Sequence, residues 1–296
     1  MTDHFGDRLA EALKITGTPL CVGIDPHKDL LGDLFCHQGK PSIAGLRDFA
    51  MAAVKAATGL VPAVKPQAAM FEAFGPEGVG ILQETAHAAK QAGLLVIMDA
   101  KRGDIGSTSA AYASAYLGDD APFVSDALTI NPWMGLDTLA PFIERAKQTN
   151  SGLFILVRTS NKGASDLQEL SVNGTAIYQH LAKSLAPIAA SMMGQSGTSS
   201  IGIVAGATVP EQAETLRAIL PSAPFLIPGF GAQGAGAAHA TIALSRQDGQ
   251  FGHGLVNSSR AILFCDEAQQ ATSLDDYSTA MRNAIKTQIA LLKSAY

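Results

Sequence analysis

Eight short apolar runs, each long enough for one strand, constrain this chain's fold more than any other feature of its sequence. They fall at residues 19–26, 61–66, 94–98, 127–132, 153–160, 201–208, 225–228 and 254–260. Short apolar runs bounded by turn signals read as strands buried on both faces. Helical stretches separate them, at 43–58, at 78–92 with Gly93 just past the end, at 107–116, at 136–148, at 175–193, and from Pro210, a residue that suits a first helical turn. A short helix after Asp3, with Phe5, Leu9, Ala12 and Leu13 on one face, precedes the first run, and an amphipathic helix over 277–292 follows the last. Regular alternation of strand and helix signals an α/β chain, and the expected form is a (β/α)8 TIM barrel. Residues 1–296 would form one domain, with the first helix covering one end and the last closing the chain. A doubly wound sheet is the alternative, and it would need a reversal of strand order that a sequence does not display. The Gly- and Ser-rich residues 194–200 read as a flexible surface loop, residues 163–171 as a loop, and Ser107 or a neighbour as the cap of the 107–116 helix.

Composition narrows the function. Of 296 residues 47% are apolar and 16% charged, which suits a large core rather than disorder. The net charge of −5, without a long basic run, argues against general nucleic-acid binding. Cys21, Cys36 and Cys265 are odd in number and lack C-x-x-C spacing, so neither a disulfide framework nor a zinc site is expected, and a reducing compartment is. Asp3, Asp7, Arg8 and Glu11 near the start do not make the basic-then-apolar pattern of a signal peptide, and no apolar run approaches a membrane span. A cytoplasmic protein with no membrane partner is the expectation. The seven histidines show no metal-ligand spacing, and no G-x-S-x-G occurs.

In a barrel the carboxyl ends of the strands form the active face, so residues far apart in sequence converge there. Asp25, Lys65, Asp99, Lys101, Ser160, Gly229 and Arg260 all lie at expected strand ends. Side chains alternate with a period of two along a strand, which turns Asp99 and Lys101 to the same side. With Lys65 and Asp104 they make a balanced set of two acids and two ammoniums. A solvated ion-paired turn is the plain reading of such a cluster. Mg²⁺ on Asp99 and Asp104 is another, but two fixed ammoniums make a divalent ion less needed and less welcome. The set is better suited to charge stabilisation and proton donation. Gly229, Gly231 and Gly234 form a loose G-x-G-x-x-G, weak alone. In a barrel, however, the loops after strands seven and eight commonly bind phosphate, and Arg260 would add a planar cationic fork.

Together these residues resemble the orotidine 5'-phosphate decarboxylase family, in its longer-chain branch. The family signature D-x-K-x-x-D-I-x-x-T stands here as Asp99, Lys101, Asp104, Ile105 and Thr108. Asp25 and Lys65 match its first- and second-strand residues, Ser160 its pyrimidine-reading serine, Gly229 and Gln233 its phosphate loop, and Arg260 its phosphate arginine. Two positions depart from the pattern: Asn161 replaces a frequent histidine, and Ser259 a frequent glycine. The resemblance implies decarboxylation of orotidine 5'-monophosphate to uridine 5'-monophosphate without metal or organic cofactor. Lys101 would donate the proton to carbon 6, Asp99 would lie near the leaving carboxylate, and Lys65 and Asp104 would keep Lys101 charged and aimed. Asp25 and Lys65 would bind the ribose hydroxyls. Asp104, Ile105 and Thr108 would reach into a partner's site, which implies a homodimer with shared active sites. Rival readings are a Mg²⁺-dependent sugar-phosphate decarboxylase or aldolase of the same superfamily, which by resemblance carries an acid where this chain has Lys65, and a non-catalytic module that binds a phosphate ligand.

One charge pair at about 4 Å contributes about 4 kcal/mol at an effective dielectric of 20, or roughly three powers of ten in rate. Decarboxylation without an electron sink needs far more, so the phosphate grip must close loops near Gln233 and Ser160 and preorganise the charges. The phosphate-free nucleoside orotidine is therefore expected to turn over far more slowly than its 5'-monophosphate; equal rates would remove the phosphate from the mechanism.

Overall fold

The computed structural model describes residues 4–206, 209–230, 236–247 and 250–295. Among them eight parallel strands close a barrel: β1 (Leu20–Ile24), β2 (Ala63–Pro66), β3 (Leu95–Arg102), β4 (Ala127–Ile130), β5 (Gly152–Arg158), β6 (Ile201–Ala205), β7 (Phe225–Ile227) and β8 (Gly254–Ser258). Each strand pairs with its neighbours in sequence, and β8 returns to β1 with Cys21 opposite Asn257. The strand order never reverses, so the doubly wound alternative falls and the TIM barrel stands. β1, β2, β4, β6, β7 and β8 are buried along their whole length, because helices cover the outside and side chains fill the inside.

The principal helices are α1 (Phe5–Thr16), α2 (Ile43–Ala57), α3 (Gly75–Gln91), α4 (Gly106–Tyr116), α5 (Ala140–Thr149), α6 (Ile177–Ser191), α7 (Pro210–Ile219) and α8 (Leu274–Ser294). Ser42 caps α2 by accepting the Gly45 N–H at 3.0 Å, and Ser273 caps α8 by accepting that of Asp276 at 3.1 Å. The expected Ser107 cap is not used. α4 starts one residue earlier, behind Ile105, and no side chain caps it. No helix among the described residues is long and apolar enough to cross a membrane.

α1 plugs the amino-terminal end of the barrel. Its Phe5, Leu9 and Leu13 pack inside against Cys21, Ile97, Phe154 and Leu255. The Phe5 ring meets Phe154 edge-on, 6.1 Å between centroids. A Cβ on Gly152 would lie 2.2 Å from the Phe5 ring, so the plug requires glycine at that point of β5. Asp126, just before β4 and 2% exposed, ties plug to barrel. Its carboxylate accepts the Val96 N–H at 2.8 Å and Lys90 Nζ at 3.0 Å, and pairs with Arg8 of α1.

Residues 194–200 are not a flexible surface loop. The Asp7 carboxylate accepts the N–H groups of Gln195 at 3.1 Å and Ser196 at 2.7 Å, and the Ser199 hydroxyl donates to Ala189 O at 2.7 Å. Thr198, Ser199 and Ser200 are buried, so the Gly/Ser composition here serves close packing beside α1. The expected loop at 163–171 contains a 3-10 turn, Lys162–Asp166, and the first strand of a small hairpin, Ser171–Val172 with Thr175–Ala176. Asp126→Ala would leave the Val96 N–H and two cations without their shared acceptor. A loss on the order of 3 kcal/mol is expected, at the low end for a broken buried pair because Arg8 and Lys90 remain partly exposed. The melting temperature should fall on the order of 10 °C, and Asp126→Asn should recover part of it.

Candidate active site

A cavity of ≈ 610 Å³ opens at the carboxyl ends of the strands. At its base the charged residues of β2 and β3 meet on one carboxylate, Asp99, which is 6% exposed. Lys65 Nζ donates to Oδ2 at 2.6 Å, and Lys101 Nζ donates to Oδ1 at 2.5 Å. Gln67 Nε2 adds a bond to Oδ2 at 3.0 Å, and the Thr129 hydroxyl one to Oδ1 at 3.0 Å. Asp25 stands at the end of β1 with Oδ1 4.0 Å from Lys65 Nζ, too far for a hydrogen bond. The Lys65 side chain is buried, while that of Lys101 is 45% exposed to the cavity and solvent.

Burial alone would raise the Asp99 carboxyl, yet Lys65 and then Lys101 outweigh it and hold the group well below the usual carboxylate range. Burial likewise pulls Lys65 down, but Asp99 and Asp25 outweigh it and leave the ammonium above an ordinary lysine. The buried pair therefore stays charged on both sides through the neutral range. Below it, burial pushes the Cys21 thiol up to about 12, so Cys21 is a neutral wall of the barrel interior.

Strand alternation does not by itself bring Lys101 to Asp99. The sequence suggested that the strand ends at Met98, whereas β3 runs on to Arg102 with a register shift between Met98 and Arg102 against β4. Within that irregularity Lys101 takes a left-handed backbone, φ 48°, uncommon for a residue with a side chain. Thr129 holds it there: its Oγ1 accepts the Lys101 N–H at 2.9 Å while the hydroxyl donates to Asp99. Thr129 was not singled out from the sequence. A lone polar residue inside the apolar run Ala127–Ile130 was the available signal.

The cavity also gathers Ser160 after β5, Gly229 after β7 and Arg260 after β8. Gly229 has φ 94°, a conformation that favours glycine. Among the described residues no carboxylate pairs with Arg260, which opens the short helix Arg260–Leu263. Gln233, with Gly231 and Gly234, lies outside the described residues. Asn257 and Ser259 join the wall unforeseen as site residues, and Asn257 Nδ2 donates to Ser259 Oγ at 3.3 Å. A Cβ on Gly23 would sit 1.9 Å from Ser259 Oγ, so glycine in β1 makes room for this hydroxyl.

Asp104, Ile105 and Thr108 are not brought to this cavity. Asp104 turns back on its own loop, where Oδ1 accepts the Ile105 N–H at 2.7 Å. Ile105 is 63% exposed, and Thr108 is exposed on the first turn of α4. Within its own chain Asp104 does not line the cavity that holds Lys101.

A family model described as the orotidine 5'-phosphate decarboxylase / HUMPS family matches residues 18–273. The chain belongs to this family. Among its curated relatives, the orotidine 5'-phosphate decarboxylase of Rhodopirellula baltica is 43% identical over 93% of each chain. That of Streptomyces coelicolor is 43% identical over 79% of this chain and 81% of its own. A crystal structure from Streptomyces avermitilis, provisionally assigned the same activity, superposes with a TM-score of 0.80 at 38% identity, covering 98% of this chain and 96% of its own. The Leishmania donovani OMP decarboxylase structure follows with a TM-score of 0.74 at 30% identity, covering 99% and 100%. In this orotidine 5'-phosphate decarboxylase family member, the Thr129 hydroxyl links the Lys101 backbone to the Asp99 carboxylate. Thr129→Val keeps the shape and removes that link. It should lower kcat about 10- to 100-fold, the scale of a misplaced reacting group, with the melting temperature nearly unchanged and Thr129→Ser close to wild type.

Proposed function

We infer that this chain decarboxylates orotidine 5'-monophosphate to uridine 5'-monophosphate and carbon dioxide, the last step of pyrimidine nucleotide synthesis. The observation that carries the inference is the Lys65–Asp99–Lys101 array at the barrel mouth, with both ammoniums on one buried carboxylate. In the reaction the bond from carbon 6 to the carboxylate breaks and its electron pair stays on carbon 6. Carbon dioxide leaves, and a proton from the Lys101 ammonium fills the vacated position. Lys101 then regains a proton from water. Its ammonium stabilises the developing carbanion in a site where fixed charges need no reorganisation. Asp99 faces the leaving carboxylate and holds Lys101 and Lys65 in place.

Asp25 and Lys65 bind the ribose hydroxyls, Ser160 reads the pyrimidine, and Gly229, Gln233 and Arg260 grip the phosphate. A guanidinium at the rim that meets no carboxylate among the described residues favours that last role, since a phosphate dianion would supply its counter-charge. Lys65 also weighs against the Mg²⁺-dependent sugar-phosphate reading, because an ammonium fills the place where those enzymes carry an acid. The curated relatives that cover most of the chain favour neither that reading nor a non-catalytic phosphate module.

We further propose a homodimer in which Asp104, Ile105 and Thr108 complete the partner's site. Ile105, Trp133, Met134 and Leu136 are 63%, 72%, 48% and 41% exposed, an apolar patch on the loops after β3 and β4. Gly103 and Asn131 hold those two loops against each other: a Cβ at 103 would sit 2.7 Å from Asn131 O. A second copy covering this patch would bring Asp104 to a foreign mouth. Residues 1–296 act as one domain, and the protein works in the cytoplasm. The absorbance change of orotidine 5'-monophosphate tests the activity. Wild type should turn over, also in excess chelator, and Lys101→Ala should lose about 10²- to 10⁴-fold in kcat, the range of a lost general acid, or more. Unchanged activity in Lys101→Ala would refute its role as proton donor, and loss of wild-type activity in chelator would favour the Mg²⁺ reading.

A further inference from the structure

Arg158 ends β5 with 7% of its surface exposed, yet it does not line the cavity. Its guanidinium is spent on three different pieces of chain. Nη1 donates to the Thr159 carbonyl at 2.5 Å, Nη2 to Glu169 Oε1 at 2.5 Å, and Nε to Gln212 Oε1 at 2.6 Å. Gln212, in the first turn of α7, also donates through Nε2 to Glu169 Oε1 at 3.1 Å, so the three side chains close a ring.

A second clasp lies beside it. Gln168 accepts the Thr159 N–H at 2.9 Å and donates from Nε2 to Thr159 Oγ1 at 2.8 Å. The Thr159 hydroxyl then donates to Asn161 Oδ1 at 2.6 Å. The segment between Arg158 and Glu169 is thus stapled at its root by two clasps. The residues between the clasps that face the cavity are Thr159, Ser160 and Asn161. On the far side Gly206 donates its N–H to the Arg158 carbonyl at 2.8 Å, and a Cβ on Gly206 would lie 3.0 Å from the Ser160 Cα. Ser160 is wedged between the β6 end and a root that cannot move without breaking the guanidinium ring.

We propose that Arg158, Glu169 and Gln212 form a positioning device that sets Ser160 and Asn161 against the pyrimidine, and so governs base recognition separately from the grip on phosphate. This rests on the decarboxylase reading, which assigns the base to Ser160 and the phosphate to the β7 and β8 loops. None of the three side chains needs to touch substrate. Their charges cancel locally, Arg158 against Glu169, so their effect travels through backbone placement rather than through field at the reacting carbon. A planar fork of several donors is required, because one group must serve three acceptors in fixed directions.

Glu169→Ala and Gln212→Ala are the informative variants, since Glu169 is exposed and Gln212 half-buried. Titration calorimetry would compare uridine 5'-monophosphate, which carries base and phosphate, with ribose 5-phosphate, which carries the phosphate alone. For both variants the uridine 5'-monophosphate dissociation constant should rise about tenfold, the scale of a lost charge-assisted bond, while that of ribose 5-phosphate stays within about twofold. Glu169→Gln, which keeps a carbonyl acceptor, should fall between Glu169→Ala and wild type. Equal weakening of both ligands would overturn the proposal in favour of a merely structural role, and no change in either would overturn it outright. A wild-type protein that turns over no orotidine 5'-monophosphate would instead refute the decarboxylase reading itself.

Discussion

The site depends on a buried carboxylate clasped between two ammoniums, one buried with it and one facing the cavity. Asp99 accepts from Lys65, Lys101, Gln67 and Thr129, which uses its lone pairs almost completely. Burying Asp99 or Lys65 alone would be prohibitive, and each makes the other tolerable. The arrangement explains why β3 departs from regular geometry at this point. A regular strand would carry Lys101 onward with the ladder, and the left-handed turn at that residue folds its ammonium back to the acid two positions earlier. Local backbone strain is thereby exchanged for electrostatic order at the base of the cavity.

Much of this was legible in the sequence, for identifiable reasons. Strands buried on both faces are uniformly apolar, so all eight runs were visible, and barrel geometry then placed Asp25, Lys65, Asp99, Lys101, Ser160, Gly229 and Arg260 at one mouth. What escaped notice obeys tertiary rather than local rules. Thr129 is one hydroxyl in an apolar run, and nothing local says that it meets an acid from the neighbouring strand. Residues 194–200 have the composition of a loose loop, but Asp7, far away in sequence, supplies the acceptor that orders them.

Two arginines at strand ends do parallel work. Arg158 ties the loop after β5 to α7. Arg102, at the end of β3, donates to Tyr116 Oη at 3.0 Å, pairs with Glu72, and lies over the Tyr112 and Tyr116 rings at 5.5 and 5.6 Å. In both cases the cation stands one or two residues from a cavity-lining side chain and faces away from the cavity. The fold thus places, beside residues that line the cavity, cations that face away from it and tie the neighbouring loops to the surrounding helices.

The plug formed by α1 has a consequence for traffic. Phe5, Leu9 and Leu13 seal the far end of the barrel, and Phe5 is fully buried. Among the described residues the floor is closed, and the cavity opens at the other end, where the strands finish. Entry and release then share one path, so whatever narrows the mouth slows both alike, and a change at the rim acts on the two together rather than on one alone.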